Sequence, residues 1–217
     1  MRFDMKNDVN NDEMNGAGVA ESRKTGGVAD FFARHFTAKR IAAMAVFTAL
    51  ALAISFASFP IFPASPVFFL ELDFGNVFIL FISFLLGPME GVIVCVLKET
   101  LHIVVAIRHT NAVGELANIL MTSAYILLPS IVYQVRKGIK PVILSLAAAC
   151  LIGTAAALVV NRCITFPLYM GWEIGGEVFY GNLWLIVAFN LIKTVAISVL
   201  TILLYKRLSN FFKKWKI

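Results

Sequence analysis

Residues 41–59 read IAAMAVFTALALAISFASF, 19 consecutive positions without a charge. About 20 apolar residues in a helix cross the hydrocarbon core of a bilayer, so this stretch predicts a first membrane span, Ile41–Phe59. The whole chain follows suit. Its 217 residues are 59% apolar and 15% charged, with a mean hydropathy of +0.83, against about half apolar and a quarter charged in soluble domains. Charge gathers ahead of the span. Residues 1–40 hold seven Lys/Arg and six Asp/Glu, whereas the other 177 residues hold twelve and seven. Residues 1–36, rich in Asn, Asp and Gly, are expected to form a disordered polar arm without the apolar core of a signal peptide. Residues 37–217 are expected to form the membrane domain. Asp30–Arg40 reads as a short interfacial helix with Phe31, Phe32 and Phe36 on one side.

Beyond Phe59 the prolines at 60, 63 and 66 break the helix and predict an apolar loop, Pro60–Leu70. A short second span is predicted over Leu72–Leu86, a turn at Gly87-Pro88, and a third span over Met89–Ile107 interrupted by Lys98, Glu99 and His102. Further spans are predicted over Gly114–Val135, Pro141–Phe166 and Leu183–Tyr205, the last carrying Lys193. The expectation is an all-α membrane protein of six transmembrane helices. Basic residues crowd the N-terminal arm, the loop at Arg136–Lys140 and the C-terminal tail. Lys/Arg-rich short loops stay in the cytoplasm, so both termini are expected inside. The Pro60–Leu70, Arg108–Val113 and Tyr169–Asn182 loops are then expected outside.

Polar side chains inside such spans are costly and usually face a cavity or a partner. Asn190 and Lys193 share one helix face at i, i+3. Counted at 1.5 Å per residue they lie roughly 10–15 Å from the outer end, and Asn161 lies at similar depth. Asp73, Asn76, Glu115 and Asn118 sit at the outer ends of their spans. Together they point to a pocket opening outward, with amides that both donate and accept and so suit a neutral heterocycle better than a metal. Lys98 is expected either to pair with Glu99 or Glu115 as a structural tie or to serve the pocket. Phe68, Phe69, Phe166, Tyr169 and Trp172 read as an interfacial aromatic belt or as stacking partners of a planar ligand. Ala45, Ala49, Ala53 and Ala57 repeat at four and place a small-residue stripe along the first span, fit for close helix approach, whether inside the chain or against another membrane protein.

Several classes are excluded or disfavoured. The basic residues flank apolar runs instead of forming one patch, so nucleic acid is not a partner; the lipid bilayer is. There is no GxxxxGK[ST], HExxH or GxSxG, so ATP hydrolysis and the common hydrolase chemistries find no catalytic residues here. Cys95, Cys150 and Cys163, odd in number and without CxxC spacing, are expected to be buried inert thiols, and no metal site is expected.

The stretches LDFGNVFILFISFLLGPMEGVIVCVLKETLH (72–102), GELANIL (114–120) and FNLIKTVAIS (189–198), with the Ala stripe, resemble the substrate-binding S component of energy-coupling factor (ECF) transporters, and within that group the riboflavin-specific subunits. The resemblance covers roughly residues 40–206. It implies a non-enzymatic, multi-pass subunit of the bacterial plasma membrane that takes riboflavin or a related flavin as transported substrate, with no cofactor. It implies a transmembrane T component and two ABC-type ATPases as partners. It places the flavin ring against Asn161, Asn190 and Lys193, makes Pro60–Leu70 an outer lid with Phe62, Pro63, Phe68 and Phe69, and gives the Ala face to the T component. Asp73, Glu115 and Asn118 complete the expected binding set. Asn76, Phe78, Glu90 and Glu99 depart from the family's usual residues; at Glu99 that residue is Asn. An S component for another vitamin is the alternative. An autonomous secondary transporter is a further one, disfavoured by the docking stripe and by the lack of an inverted repeat.

Overall fold

The computed structural model describes residues 36–105, 112–136 and 138–215, the last ten as backbone only. The expected disordered arm, most of the interfacial helix at Asp30–Arg40 and most of the Arg108–Val113 loop lie outside the described residues. Helix α1 covers Ala38–Ser55. Two short strands, β1 (Phe59–Pro60) and β2 (Glu71–Leu72), pair antiparallel with Phe59 opposite Leu72. Then come α2 (Asn76–Leu85), α3 (Pro88–Val105), α4 (Val113–Val135) and α5 (Ile139–Val160). A π-turn at Asn161–Thr165 carries α5 into α6 (Phe166–Met170); α7 (Trp172–Gly181) and α8 (Leu183–Trp215) follow.

The helix α2 is the hub. It packs against α3, α4 and α8, and Phe47 of α1 lays its ring 6.5 Å from that of Phe81. Being walled in on every side explains its run of buried residues, Ile79 to Phe84. Around it, α4 packs along α3 and α5, and α8 packs along α5. Four segments are long and apolar enough to cross a bilayer: Ala38–Ser55, Val113–Val135, Ile139–Met170 and Leu183–Tyr205. At about 1.5 Å per residue the 10 residues of α2 are too short to do so alone. In α3 the charges of Glu90, Lys98 and Glu99 interrupt the apolar run, and all three side chains are buried inside the protein.

Several expected boundaries move. The second helix starts at Asn76 because Leu72 belongs to β2. The fifth runs past Phe166 because the wide π-turn absorbs Pro167. The segment Tyr169–Asn182, expected as a loop, contains α7. Gly175 is there for packing: a Cβ on it would sit 2.7 Å from the Phe166 carbonyl oxygen. The last helix continues ten residues beyond Tyr205. Cys95 and Cys150 are buried, but Cys163, within the π-turn, is exposed.

Candidate binding cavity

A cavity of about 480 Å³ opens between α1, the β2–α2 turn, α3, α4, the π-turn and α8. This lies within the range of roughly 300–1,000 Å³ typical of small-molecule sites. Asp73, Glu115, Asn118, Asn161, Asn190 and Lys193 all line it, so residues up to 120 positions apart meet in one wall.

One side of the cavity is a charge network. Asp73 occupies the turn before α2, where its Oδ1 accepts from the Gly75 amide at 2.7 Å and from Ser55 Oγ at 2.8 Å. Only a glycine fits there, because a Cβ at Gly75 would lie 2.4 Å from the Ala51 carbonyl oxygen of α1. Lys98 Nζ reaches Asp73 Oδ2 at 2.5 Å and Glu99 Oε1 at 2.8 Å. Glu99 also accepts from Asn118 Nδ2. That bond turns Asn118 Oδ1 toward three donors: Lys193 Nζ at 2.9 Å, Thr122 Oγ1 at 3.2 Å and Asn76 Nδ2 at 3.3 Å. Two ammoniums and two carboxylates thus alternate across α2, α3, α4 and α8. Burying an ion is tolerable only with such pairing. Lys98 pairs with Glu99, as one expectation had it, and with Asp73; Glu115 instead pairs with His102, Oε1 to Nδ1 at 3.0 Å.

The opposite side is neutral. Asn161 begins the π-turn, whose bond from the Phe166 amide to the Asn161 carbonyl spans five residues; such bulges are frequent at functional sites. Its side chain is fully buried, and neither Nδ2 nor Oδ1 has a hydrogen-bond partner. Thr165, one turn on, also lines the cavity with an unpartnered Oγ1. Asn190 spends Nδ2 on the Ile186 carbonyl at 2.8 Å.

The mouth is aromatic. Phe68 and Phe69 line the cavity, and Phe69 stacks on Tyr169 with centroids 4.8 Å apart. Phe62 stands behind them, packed on the cluster of Val67, Leu70, Phe166 and Phe179, while Pro63 is exposed and outside the lining. Phe166 is a core residue, and Trp172 lies outside the cavity under the Arg162 guanidinium at 4.9 Å. The aromatic group is therefore split between cavity, core and surface. Ser55, Thr165, Met121 and the pair Lys98–Glu99 join the wall without having been expected in the binding set. The i, i+4 spacing of Thr165 from Asn161 was the available signal.

Ala45, Ala49, Ala53 and Ala57 are all exposed. Among the described residues that stripe is not covered by internal packing; the helix ends at Ser55, so Ala57 lies just past it. Among the described residues, no three His, Cys, Asp or Glu side chains gather as a cation site.

Comparisons with known proteins give the family. The chain is 33% identical over 181 residues to the riboflavin transporter RibU of Staphylococcus aureus (strain TCH60), covering 81% of this chain and 93% of that protein. It is 24% identical over 187 residues to the riboflavin transporter FmnP of Bacillus subtilis (strain 168), covering 81% and 95%. The solved structure of the S component of a bacterial ECF transporter superposes with a TM-score of 0.68 at 32% identity, over 81% of this chain and 98% of that one. With residues 39–205 matching the family model, this membrane protein belongs to the substrate-specific components of ECF transporters.

Proposed function

We propose that this chain binds riboflavin, or a close flavin, outside the bacterial plasma membrane and delivers it inward together with a T component and two ATPases. The observation that carries the reading is Asn161: a wholly buried amide, in the wall of a cavity, with neither its donor nor its acceptor used. Burying such a group unpaired costs about 1–3 kcal/mol, and a ligand with a matching edge removes that penalty. A flavin's pyrimidine edge offers carbonyl acceptors beside an imide donor. Asn161 and Asn190 meet both kinds, and Lys193 donates to a carbonyl or a ribityl hydroxyl. The riboflavin-transporting relatives support this choice of ligand.

In this reading α2 and α3 cross with the four longer segments, six in all. The arm, residues 1–36, and the C-terminal tail lie in the cytoplasm, and the cavity opens outward. Phe62, Pro63, Phe68 and Phe69 belong to a lid, and the exposed alanines of α1 meet the T component. The purified ligand-free protein is expected to quench riboflavin fluorescence at one flavin per chain. No quenching, with no flavin released on denaturing the protein as isolated, sinks the flavin reading. Ala49→Leu should keep quenching and lose uptake in cells; equal loss of both would end the docking role.

A further inference from the structure

Neighbouring residues of the π-turn face different surroundings. Asn161 lines the cavity, whereas Arg162 is not part of the lining. The Arg162 guanidinium lies outside it, over the Trp172 ring at 4.9 Å and over the Tyr180 ring at 5.5 Å. Both rings belong to α7, where positions 172, 176 and 180 fall on one helix face. A Cβ at Gly176, between them, would stand 3.6 Å from Arg162 Nη2, so the cation lies along that face. An aromatic ring attracts a cation, but it gives the N–H groups no lone pair to bond. Among the described residues Arg162 makes no hydrogen bond and no ion pair. Its five donors are left for an acceptor from outside the chain.

The level of Arg162 along the membrane says what that acceptor is. The apolar segment Ile139–Met170 begins beside Arg136 and Lys140. Counted at about 1.5 Å per residue, Arg162 stands about 35 Å beyond Ile139. That is past a hydrocarbon core about 30 Å thick, among the headgroups of the leaflet at the cavity mouth. Trp172, Tyr180 and Trp184 are each more than half exposed, as aromatic side chains turned to a membrane interface are. Glu173 and Glu177, four apart and exposed on α7, flank the face that carries the two rings and form no ion pair with Arg162. A cation and two carboxylates, held side by side and unpaired, match a headgroup that carries both signs. We propose that Arg162, with Trp172 and Tyr180, binds the phosphodiester of a zwitterionic glycerophospholipid, whose ammonium lies toward Glu173 and Glu177. The guanidinium fork suits phosphate oxygens, and such charge-assisted bonds are the strong ones. The site lies outside the cavity, so it does not depend on the flavin reading.

The test incubates the full-length protein in detergent with dioleoyl phosphatidylethanolamine, dioleoyl phosphatidylglycerol or dioleoylglycerol, and counts bound lipid by native mass spectrometry. Phosphatidylethanolamine is expected to bind about tenfold tighter than dioleoylglycerol, which has no phosphate, a difference of about 1.4 kcal/mol. It should bind about threefold tighter than phosphatidylglycerol, which has no ammonium, on the scale of an exposed ion pair. Arg162→Met keeps an apolar stem and removes the donors, so it should abolish the preference over dioleoylglycerol. Arg162→Lys should keep part of it, as a point charge without the fork. Glu173→Gln with Glu177→Gln should level the two phospholipids. The parent's ranking of the three lipids and the doubly substituted surface variant decide the matter even where Arg162→Met fails to fold. A parent that holds phosphatidylethanolamine no better than dioleoylglycerol, or a preference that Arg162→Met keeps, overturns the phosphate site. Equal or tighter binding of phosphatidylglycerol by the parent overturns the zwitterionic headgroup, and a ranking that the two glutamines leave unchanged removes Glu173 and Glu177 from the site.

Discussion

Outside the cavity lining, hydroxyls meet in closed pairs. Ser130 Oγ donates to Ser83 Oγ at 2.6 Å between α4 and α2. Buried Tyr125 meets Ser198 at 2.6 Å and half-buried Tyr133 meets Tyr205 at 2.7 Å, both between α4 and α8. In the cavity wall, Asn161 and Thr165 are buried as deeply as Tyr125 and have no partner. Burial alone does not separate these two sets of polar groups, but satisfaction does. A closed pair fastens helices where no water competes, whereas an orphan raises the free energy of the empty protein and lowers it again when a ligand arrives. The charge network of Lys98 lies in the cavity wall yet behaves like the closed pairs, because its members are paired with one another.

The sharpest break of this comparison removes the centre of that network. Lys98→Met leaves Asp73 and Glu99 buried side by side without their shared cation. Deleting one partner of a buried ion pair costs about 3–5 kcal/mol, and here two carboxylates are stranded at once. The thermal midpoint of the purified protein should fall further for Lys98→Met than for Asn161→Leu or Tyr125→Phe. A midpoint like the parent's would mean that water reaches the network freely and that its pairing is not structural.

The next effect has opposite signs in two measurements. Asn161→Leu should weaken riboflavin binding by roughly 10- to 100-fold, at about 1.4 kcal/mol per tenfold. The same change should leave the empty protein as stable as the parent or more so, because a buried unpaired amide gives way to an apolar side chain of similar size. Titration and thermal unfolding on one preparation decide it. Loss of stability together with loss of binding would place Asn161 with the closed pairs.

The orphans and the pairs differ also in how far a sequence exposes them. Asn161, Asn190 and Lys193 are legible because an isolated polar residue in an apolar helix needs a reason, and helical spacing puts Asn190 and Lys193 on one face. Asp73, Glu115 and Asn118 follow from their places at helix ends, and all six line the cavity. The pairing is not legible in the same way. Lys98 joins Asp73 across 25 residues, and Lys193 joins Asn118 across 75. Which carboxylate wins Lys98 depends on the turn that Gly75 allows against α1, a tertiary fact. Helix α7 is hidden in the sequence because Gly175 and Gly176 read as loop residues, whereas Gly175 is there to let the helix approach the Phe166 backbone. The Ala stripe is visible as a period of four, but whether it faces inward or outward needs the other helices in place.

The smallest effect tests one closed pair by itself. Tyr125 is 3% exposed, and its hydroxyl meets Ser198 Oγ at 2.6 Å and donates to the Thr194 carbonyl at 3.3 Å. Tyr125→Phe removes that hydroxyl and little else. Ser198 keeps its own bond to the Thr194 carbonyl at 2.8 Å, so the variant leaves no donor stranded, and the loss should be that of one ordinary hydrogen bond, about 1 kcal/mol. Tyr125 is absent from the cavity lining, so riboflavin affinity should stay within about twofold of the parent, well under the 1.4 kcal/mol of a tenfold change. Asn161→Leu and Tyr125→Phe then form a crossed pair: one loses binding and keeps stability, the other loses a little stability and keeps binding. If Tyr125→Phe lowered affinity as much as Asn161→Leu, the α4–α8 contact would be part of the binding equilibrium, and the cavity and that pair would have to be treated as one coupled unit.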